Sequence, residues 1–94
     1  MKFIKYHNPL YGHHNQIGIV VSEKCQNGNC SFLTSIPKFG GKYISLKRND
    51  PCVSILKNLS KEELLLTLSK FNFWWFFKHK DLYQYLLINI ILAK

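Results

Sequence analysis

A chain of 94 residues, 47% of them hydrophobic, has room for a single modest core, so we expect these residues to form one domain and not to be disordered. Thirteen Lys and Arg residues against five acidic ones give a formal net charge of +8. Such a surface attracts polyanions such as RNA, DNA or anionic lipid headgroups. A simpler explanation of the charge is the bias of AT-rich codons, since Arg48 is the only arginine and Ala93 the only alanine.

The sequence also predicts a cellular location. Residues 1–6 are too short and too charged for the apolar region of a signal peptide. Three cysteines, an odd number, argue against a secreted disulfide scaffold. The apolar run 82–93 is interrupted by Gln84 and Asn89 and is too short to span a bilayer. We therefore expect a cytoplasmic protein without a membrane segment.

The first half of the chain predicts β-strands. Residues 1–6 alternate as a short strand, and residues 7–16, with Asn-Pro and Gly, predict a long loop. Residues 17–25 and 30–36 predict a hairpin, because Asn27–Gly28 suits the positive φ angles of a type I′ turn.

The turn fixes a register for this hairpin. It pairs Cys25 with Cys30, Val21 with Thr34, and Ile19 with Ile36. The core face then carries Ile17, Ile19, Val21, Phe32, Thr34 and Ile36, while the wetter face carries Val20, Ser22, Lys24, Ser31 and Ser35.

A second hairpin follows, with a three-residue loop at 39–41. This loop pairs Ile36 with Ile44 and Thr34 with Leu46, which keeps the apolar residues on the core face. Residues 49–51, Asn-Asp-Pro, end the strand. The expected result is a strongly curved antiparallel meander of three or four strands.

The C-terminal part predicts helices. Ser60 and Glu63 form a capping box ahead of the apolar face of Leu64, Leu65, Leu68 and Phe71, and residues 81–92 predict a second helix. The aromatic cluster 71–77 either continues the first helix or is extended. We thus predict one α+β domain over residues 1–94, with a β-rich half (1–50, including the loop 7–16) and a mainly helical half (51–94).

The cysteines leave several interpretations open. Cys25 and Cys30 face each other across the turn, which permits a disulfide or half of a zinc site completed by His13, His14 or Cys52. A C-x4-C spacing without a second paired cluster is typical of neither. We favour reduced, small apolar residues and predict no metal or other cofactor.

Two further groups of residues suggest chemistry. His13 and His14 precede the hairpin beside basic residues, where a histidine can exchange protons near neutral pH. Ser35 and Lys38 lie at the end of the second hairpin strand, where a hydroxyl and an ammonium group can hold a phosphate.

Together these segments resemble a known family. Residues 17–20 read I-G-I-V, and residues 31–38 read S-F-L-T-S-I-P-K. The combination is similar to the MazF and PemK toxin ribonucleases, and most of all to the ToxN/AbiQ branch of type III toxin–antitoxin systems. His14 stands where that branch has a lysine, Lys38 lies one residue further out than its pattern, and the Arg-Pro of MazF-type toxins is absent.

The resemblance implies an SH3-like barrel followed by one or two C-terminal helices, and a metal-independent endoribonuclease that acts through 2′-hydroxyl attack. His14 would be the general acid or base, and Thr34, Ser35 and Lys38 would bind the scissile phosphate. We predict that the RNA is also held by His13, Lys42, Lys47 and Arg48. The implied partners are substrate RNA and an antitoxin that is RNA or a small acidic protein, as in phage-defence systems. Self-association stays open.

Two alternatives belong to other classes. One is a non-catalytic, basic inhibitor of the phage or plasmid type that binds a nucleic acid or a host nucleoprotein. The other is a peripheral membrane protein that uses the aromatic cluster 71–77 and the segment 82–92.

Overall fold

The computed structural model describes residues 1–40 and 42–93, without the side chains of Lys38 and Phe73. Five strands precede three helices: β1 (Lys2–Asn8), β2 (His13–Gln26), β3 (Asn29–Ser35), β4 (Tyr43–Lys47), β5 (Val53–Leu56), α1 (Lys61–Lys70), α2 (Phe73–Lys78) and α3 (Lys80–Leu92). The strands form one antiparallel sheet in the order β4-β3-β2-β1-β5. Across the described residues β4 and β5 remain edge strands, so the sheet is not closed. The α+β class is confirmed.

The connection between β1 and β2 is shorter than predicted. Instead of a loop over residues 7–16, a 3₁₀ turn at Pro9–Tyr11 and Gly12, with φ of 72°, join the two strands. The pairing of β1 with β2 extends to Asn8 and His13. The histidines and polar residues that suggested a loop therefore lie largely on strands.

The turn between β2 and β3 is confirmed. Asn27 and Gly28 have φ angles of 52° and 79°, and Gln26 pairs with Asn29 and Cys25 with Cys30. The predicted register holds from this turn as far as Ser22, which pairs with Leu33.

A β-bulge at Val21 then changes the register, and the single core face predicted for this hairpin is wrong. Beyond the bulge Val20, not Val21, pairs with Thr34, and Ile19 pairs with Ser35. One extra residue on β2 reverses which face each following side chain occupies. Ile19 therefore shares a face with Ser35.

The bulge gives the sheet two apolar faces, each with its own core. The helix-facing core contains Phe3, Ile19, Leu64, Phe71, Trp75, Leu82, Leu86 and Ile90. The opposite core contains Ile4, Val20, Phe32 and Ile36, packed by partly buried neighbours that include Phe39 and Leu46. Among the described residues, none from the three α-helices packs against this second core.

The register between β3 and β4 differs from the prediction by two residues. Thr34 pairs with Ile44 and Phe32 with Leu46. A shift of two preserves the face of every side chain, so the predicted inward positions of Ile44 and Leu46 hold. The connection contains a 3₁₀ turn at Pro37–Phe39 followed by Gly40, with φ of 72°. Gly41, which would complete the predicted three-residue loop, lies outside the described residues.

The short strand β5 was not predicted. Its four residues pair with β1, from Tyr6 opposite Val53 to Phe3 opposite Leu56. Four residues carry too little periodicity to mark a strand, and the partner is distant in the sequence.

The helices agree largely with expectation. The capping box of α1 is confirmed: Ser60 Oγ accepts from Glu63 N at 3.2 Å, and Glu63 Oε1 accepts from Ser60 N at 3.3 Å. The predicted second helix is α3. The aromatic cluster follows neither predicted alternative, since α2 is a separate short helix that begins after Asn72. Within the described chain, every helix falls short of the length and apolar character needed to cross a bilayer.

Gly18 shows why the I-G-I-V strand contains a glycine. A Cβ atom there would lie 2.6 Å from Ile36 Cγ1, 2.9 Å from Thr34 Cγ2 and 3.1 Å from the carbonyl oxygen of Ser35. The side chains of Thr34 and Ile36 thus occupy the space above the Gly18 backbone, so a methyl group would require the segment 34–36 to move away from β2.

We expect Gly18→Ala to lower the free energy of unfolding by about 1–3 kcal/mol, the usual cost of overpacking. Urea denaturation measures the change. Ser22→Ala, at an exposed position of the same strand, should remain within about 0.5 kcal/mol of the unmodified protein. Equal stability of the two variants would contradict the packing role of Gly18.

Candidate nucleic-acid interface

The two hydroxyls predicted to bind phosphate are buried on opposite faces of the sheet. Thr34 and Ser35 each have 0% of their surface exposed. Thr34 Oγ1 donates to the carbonyl oxygen of Phe32 at 3.4 Å, and Ser35 Oγ accepts from Trp75 Nε1 at 3.0 Å. The expected outward position of Ser35 is therefore wrong, because the Val21 bulge and the helices enclose it. Neither hydroxyl can reach an RNA phosphate in this conformation.

The histidines near the start of β2 lie away from those hydroxyls. His14 is exposed, and its ring lies tilted by 58° against that of His7, with ring centroids 5.5 Å apart. It precedes Ile19, the partner of Ser35, by five residues, or about 17 Å of strand. The structure therefore does not bring His14 together with Ser35.

His13 differs from His14 in its surroundings. Its ring lies between Tyr6 and Phe39, at centroid distances of 5.9 and 4.8 Å. Its Nδ1 atom is buried, with no hydrogen-bond partner among the described residues. His13 thus contributes to packing at the margin of the second core rather than to an open RNA-binding surface.

The remaining predicted residues are exposed but dispersed. Lys42 precedes β4 and Lys47 ends it, so the strand separates them. Arg48 Nη1 lies 3.2 Å from Glu23 Oε1, an ion pair that offsets its charge. Lys38 lies in the 3₁₀ turn after β3, and its side chain is outside the described part.

A different surface combines charge with exposed aromatic rings. We call it the Trp74 surface and define it by Lys42, Tyr43, Trp74, Lys78 and His79. A cavity of about 220 Å³ is lined by four of these residues together with Gly40, Asn72 and Trp75. A second cavity of about 280 Å³ adjoins it and is lined by Tyr43, Phe77, Lys78, His79 and Lys80, among others. Trp74 itself is 70% exposed.

Helix α2 exposes Trp74 because it anchors Trp75. Trp75 is buried, stacks on Phe71 at a centroid distance of 3.7 Å, and donates its indole N–H to Ser35. Asn72 fixes the start of the helix, since its Oδ1 atom accepts from Trp75 N at 2.9 Å. Consecutive helical residues point about 100° apart, so Trp74 is directed away from the core.

The helix end positions a histidine beside the sheet edge. His79 caps both α2 and α3, and its Nδ1 atom lies 2.9 Å from the Tyr43 hydroxyl. The ring of His79 also contacts those of Tyr43 and Trp75, at centroid distances of 4.9 and 5.8 Å. An imidazole held in this way beside two lysines can take part in proton transfer.

Of the residues that define this surface, only Lys42 is identified from the sequence. From the sequence, the aromatic cluster 71–77 is treated as a unit, either helical or extended, with no prediction of which of its rings is exposed. Its helical alternative contains the signal, because adjacent helical residues point about 100° apart, so one tryptophan facing the core directs the other away from it. The contact of His79 with Tyr43 joins residues 36 positions apart and has no local signal.

The favoured prediction of reduced cysteines is wrong for Cys25 and Cys30, which form a disulfide across the turn. Glu23 lies close to both sulfur atoms, but the three side chains could supply at most three ligands, and the disulfide occupies two of them. Partial burial and then the Asp50 carboxylate raise the pKa of the Cys52 thiol above its usual value, which disfavours the thiolate form that binds metals. The described residues therefore offer no complete tetrahedral site.

No family model, curated protein or solved structure matches this chain. The resemblance to toxin ribonucleases therefore rests on the short motifs alone, and both motifs contain residues that the packing explains, Gly18 and Ser35.

We expect Ser35→Ala to destabilise the protein by about 1–3 kcal/mol, because the buried indole N–H of Trp75 would lose its acceptor. Trp75→Phe removes the donor as well as part of the packing. The double variant should lose less free energy of unfolding than the sum of the losses in the two single variants. Urea denaturation of the unmodified protein, the two single variants and the double variant measures this coupling. Strict additivity, or a loss of RNA affinity in Ser35→Ala without a change in stability, would contradict a purely structural role for Ser35.

Proposed function

We propose that this protein binds single-stranded RNA and that the Trp74 surface is its principal binding site. The observation that carries the proposal is the exposed indole of Trp74 among the basic residues Lys42, Lys78 and His79. Aromatic rings on which bases stack, within a positive groove that follows the phosphates, are the recurring features of single-strand binding.

The anchoring of α2 supports this proposal. Trp74 keeps its exposed position through the buried contacts of its neighbour Trp75, so little ordering is needed when a base stacks on it. Phe77 lies on the same side, with its ring centroid 6.3 Å from that of Trp74, and is also exposed. Two neighbouring exposed rings can hold successive bases. The net charge of +8 supplies the long-range attraction for RNA.

We expect Trp74→Ala to weaken the binding of a single-stranded RNA oligomer by about tenfold or more, since base–aromatic stacking is worth about 1–3 kcal/mol. Lys42→Gln and Lys78→Gln should each weaken binding and reduce its dependence on salt, by a slope of about 0.7 per lost phosphate contact. Fluorescence anisotropy at several salt concentrations measures both effects.

Lys57→Gln is the matched control. Lys57 lies beside Asn89 and Leu92, at the end of α3 remote from His79, and carries the same charge. If Lys57→Gln weakened binding as much as Lys78→Gln, the affinity would arise from net charge and not from the Trp74 surface. Unchanged affinity in Trp74→Ala would likewise remove the basis of the proposal.

A second candidate function is metal-independent cleavage of the bound RNA, which the His79–Tyr43 pair favours. The imidazole and the phenol lie 2.9 Å apart beside Lys78, so a proton donor or acceptor stands next to a group that can stabilise charge on a phosphate. This site would replace the predicted set of His14, Thr34, Ser35 and Lys38. The toxin resemblance implies two further features, which we propose together with this activity. They are an SH3-like barrel and an antitoxin that is RNA or a small acidic protein.

We expect slow cleavage of mixed RNA in EDTA, lowered at least tenfold in His79→Ala. His14→Ala is the control, because it removes an exposed histidine that lines neither cavity of the Trp74 surface and should leave the rate unchanged. Denaturing gels read the products. Binding without cleavage, or cleavage that depends on His14 and not on His79, would contradict this assignment and leave the binding proposal in place.

A further inference from the structure

A second polar groove lies at the tip of the β2–β3 hairpin. We call it the hairpin-tip groove. Its volume is about 520 Å³, and it is lined by Lys24, Gln26, Asn27, Asn29, Cys30, Ser31, Lys47 and Asn49. Two lysines, several side-chain amides and a hydroxyl form this lining. Ammonium, amide N–H and hydroxyl groups are the donors that bind phosphate oxygens.

Strand pairing places this groove on the same face of the sheet as the Trp74 surface. Lys24, Ser31 and Lys47 lie opposite one another on β2, β3 and β4. Side chains alternate between faces along a strand, so on β4 Lys47 shares its face with Ser45 and Tyr43. Tyr43 belongs to the Trp74 surface through its contact with His79.

The face between the two grooves is open. Tyr43, Ser45 and Lys47 are all exposed on β4, as are Ser22 and Leu33 on the neighbouring strands. The helices cover this face of the sheet only as far as the Ser35 row, where Trp75 binds Ser35. A ligand can therefore follow β4 from one groove to the other.

The charges along this face favour a polyanion. The acidic residues of the chain are Glu23, Asp50, Glu62, Glu63 and Asp81. Glu23 pairs with Phe32, which places it on the opposite face, where Lys2 and Arg48 neutralise it. Of the rest, Asp81 alone among the described residues lines a cavity of the Trp74 surface, next to Lys78 and Lys80. The path along β4 thus carries lysines at both ends and no carboxylate between them.

We propose that the hairpin-tip groove is a second phosphate-binding subsite, and that one RNA strand extends across the open face from this groove to Trp74. The inference rests on the proposed function and adds a footprint to it. Tyr43 and Lys47 are separated by about 13 Å of strand. With the grooves at either end, the path suits roughly four or more nucleotides, within the range of site sizes of other single-strand-binding β folds.

The footprint predicts how affinity depends on the length of the RNA. A trimer is too short to occupy both grooves at once and binds mainly at the Trp74 surface, the principal site, whereas an octamer reaches both grooves. In Lys24→Gln/Lys47→Gln we expect at least a fivefold loss of affinity for oligouridine octamer and no change for the trimer. The salt dependence for the octamer should fall by about 1.4, which corresponds to two phosphate contacts. Anisotropy titrations of both oligomers measure these values.

The matched control is Lys57→Gln/Lys61→Gln. It removes the same charge from a site beside the C-terminal end of α3 and the first turn of α1. It should change octamer affinity less than twofold. Comparison of variants at fixed length cancels the statistical advantage that a longer oligomer has in every protein.

Four outcomes would overturn the inference. An equal loss in the control pair would make the effect one of net charge. If Lys24→Gln/Lys47→Gln lost the same affinity for the trimer and the octamer, Lys24 and Lys47 would not form a distal subsite. The proposed function would still hold in that case, provided that binding depended on Trp74. If poly-glutamate bound as tightly as the octamer, the open face would be a binding site for acidic proteins and not for RNA. If neither oligomer bound at all, the proposed function itself would fail, and the inference with it.

Discussion

The hydrogen bond from the Trp75 indole to the Ser35 hydroxyl connects the two halves of this protein. Both groups are buried, so breaking the bond would leave a donor without an acceptor in an apolar core. The bond fixes the rotation of α2 against the sheet. That rotation exposes Trp74 and places His79 beside Tyr43. The composition of the Trp74 surface thus follows from one polar contact in the interior.

Local signals in the sequence were sufficient for most of the elements and insufficient for the candidate site. The Asn27–Gly28 turn and the Ser60–Glu63 capping box depend on residues within a few positions of one another, and the structure contains both. The bulge at Val21 has no such signal, since it inserts one valine into an otherwise regular strand. Its effect is large because a shift of one residue exchanges the faces of the sheet.

The motifs behind the toxin resemblance have sufficient explanations in packing. Gly18 allows β3 to approach β2, and Ser35 accepts the bond from Trp75. Small residues at these positions would be required of any chain with this arrangement of sheet and helix, whether or not it cleaves RNA. The features that favour RNA binding instead lie on exposed residues that the motifs do not include.

The position of β1 has a consequence for the order of folding. This strand lies between β2, which follows it closely, and β5, whose pairing joins Phe3 to Leu56 across more than half of the chain. The local β1–β2–β3 meander can form early, whereas the pairing with β5 must wait for a long loop to close. Phe3 and Ile19 remain uncovered even after that pairing, because the helices that bury them follow β5 in the sequence. During synthesis the nascent sheet therefore presents an apolar face to its surroundings until the last helix has left the ribosome.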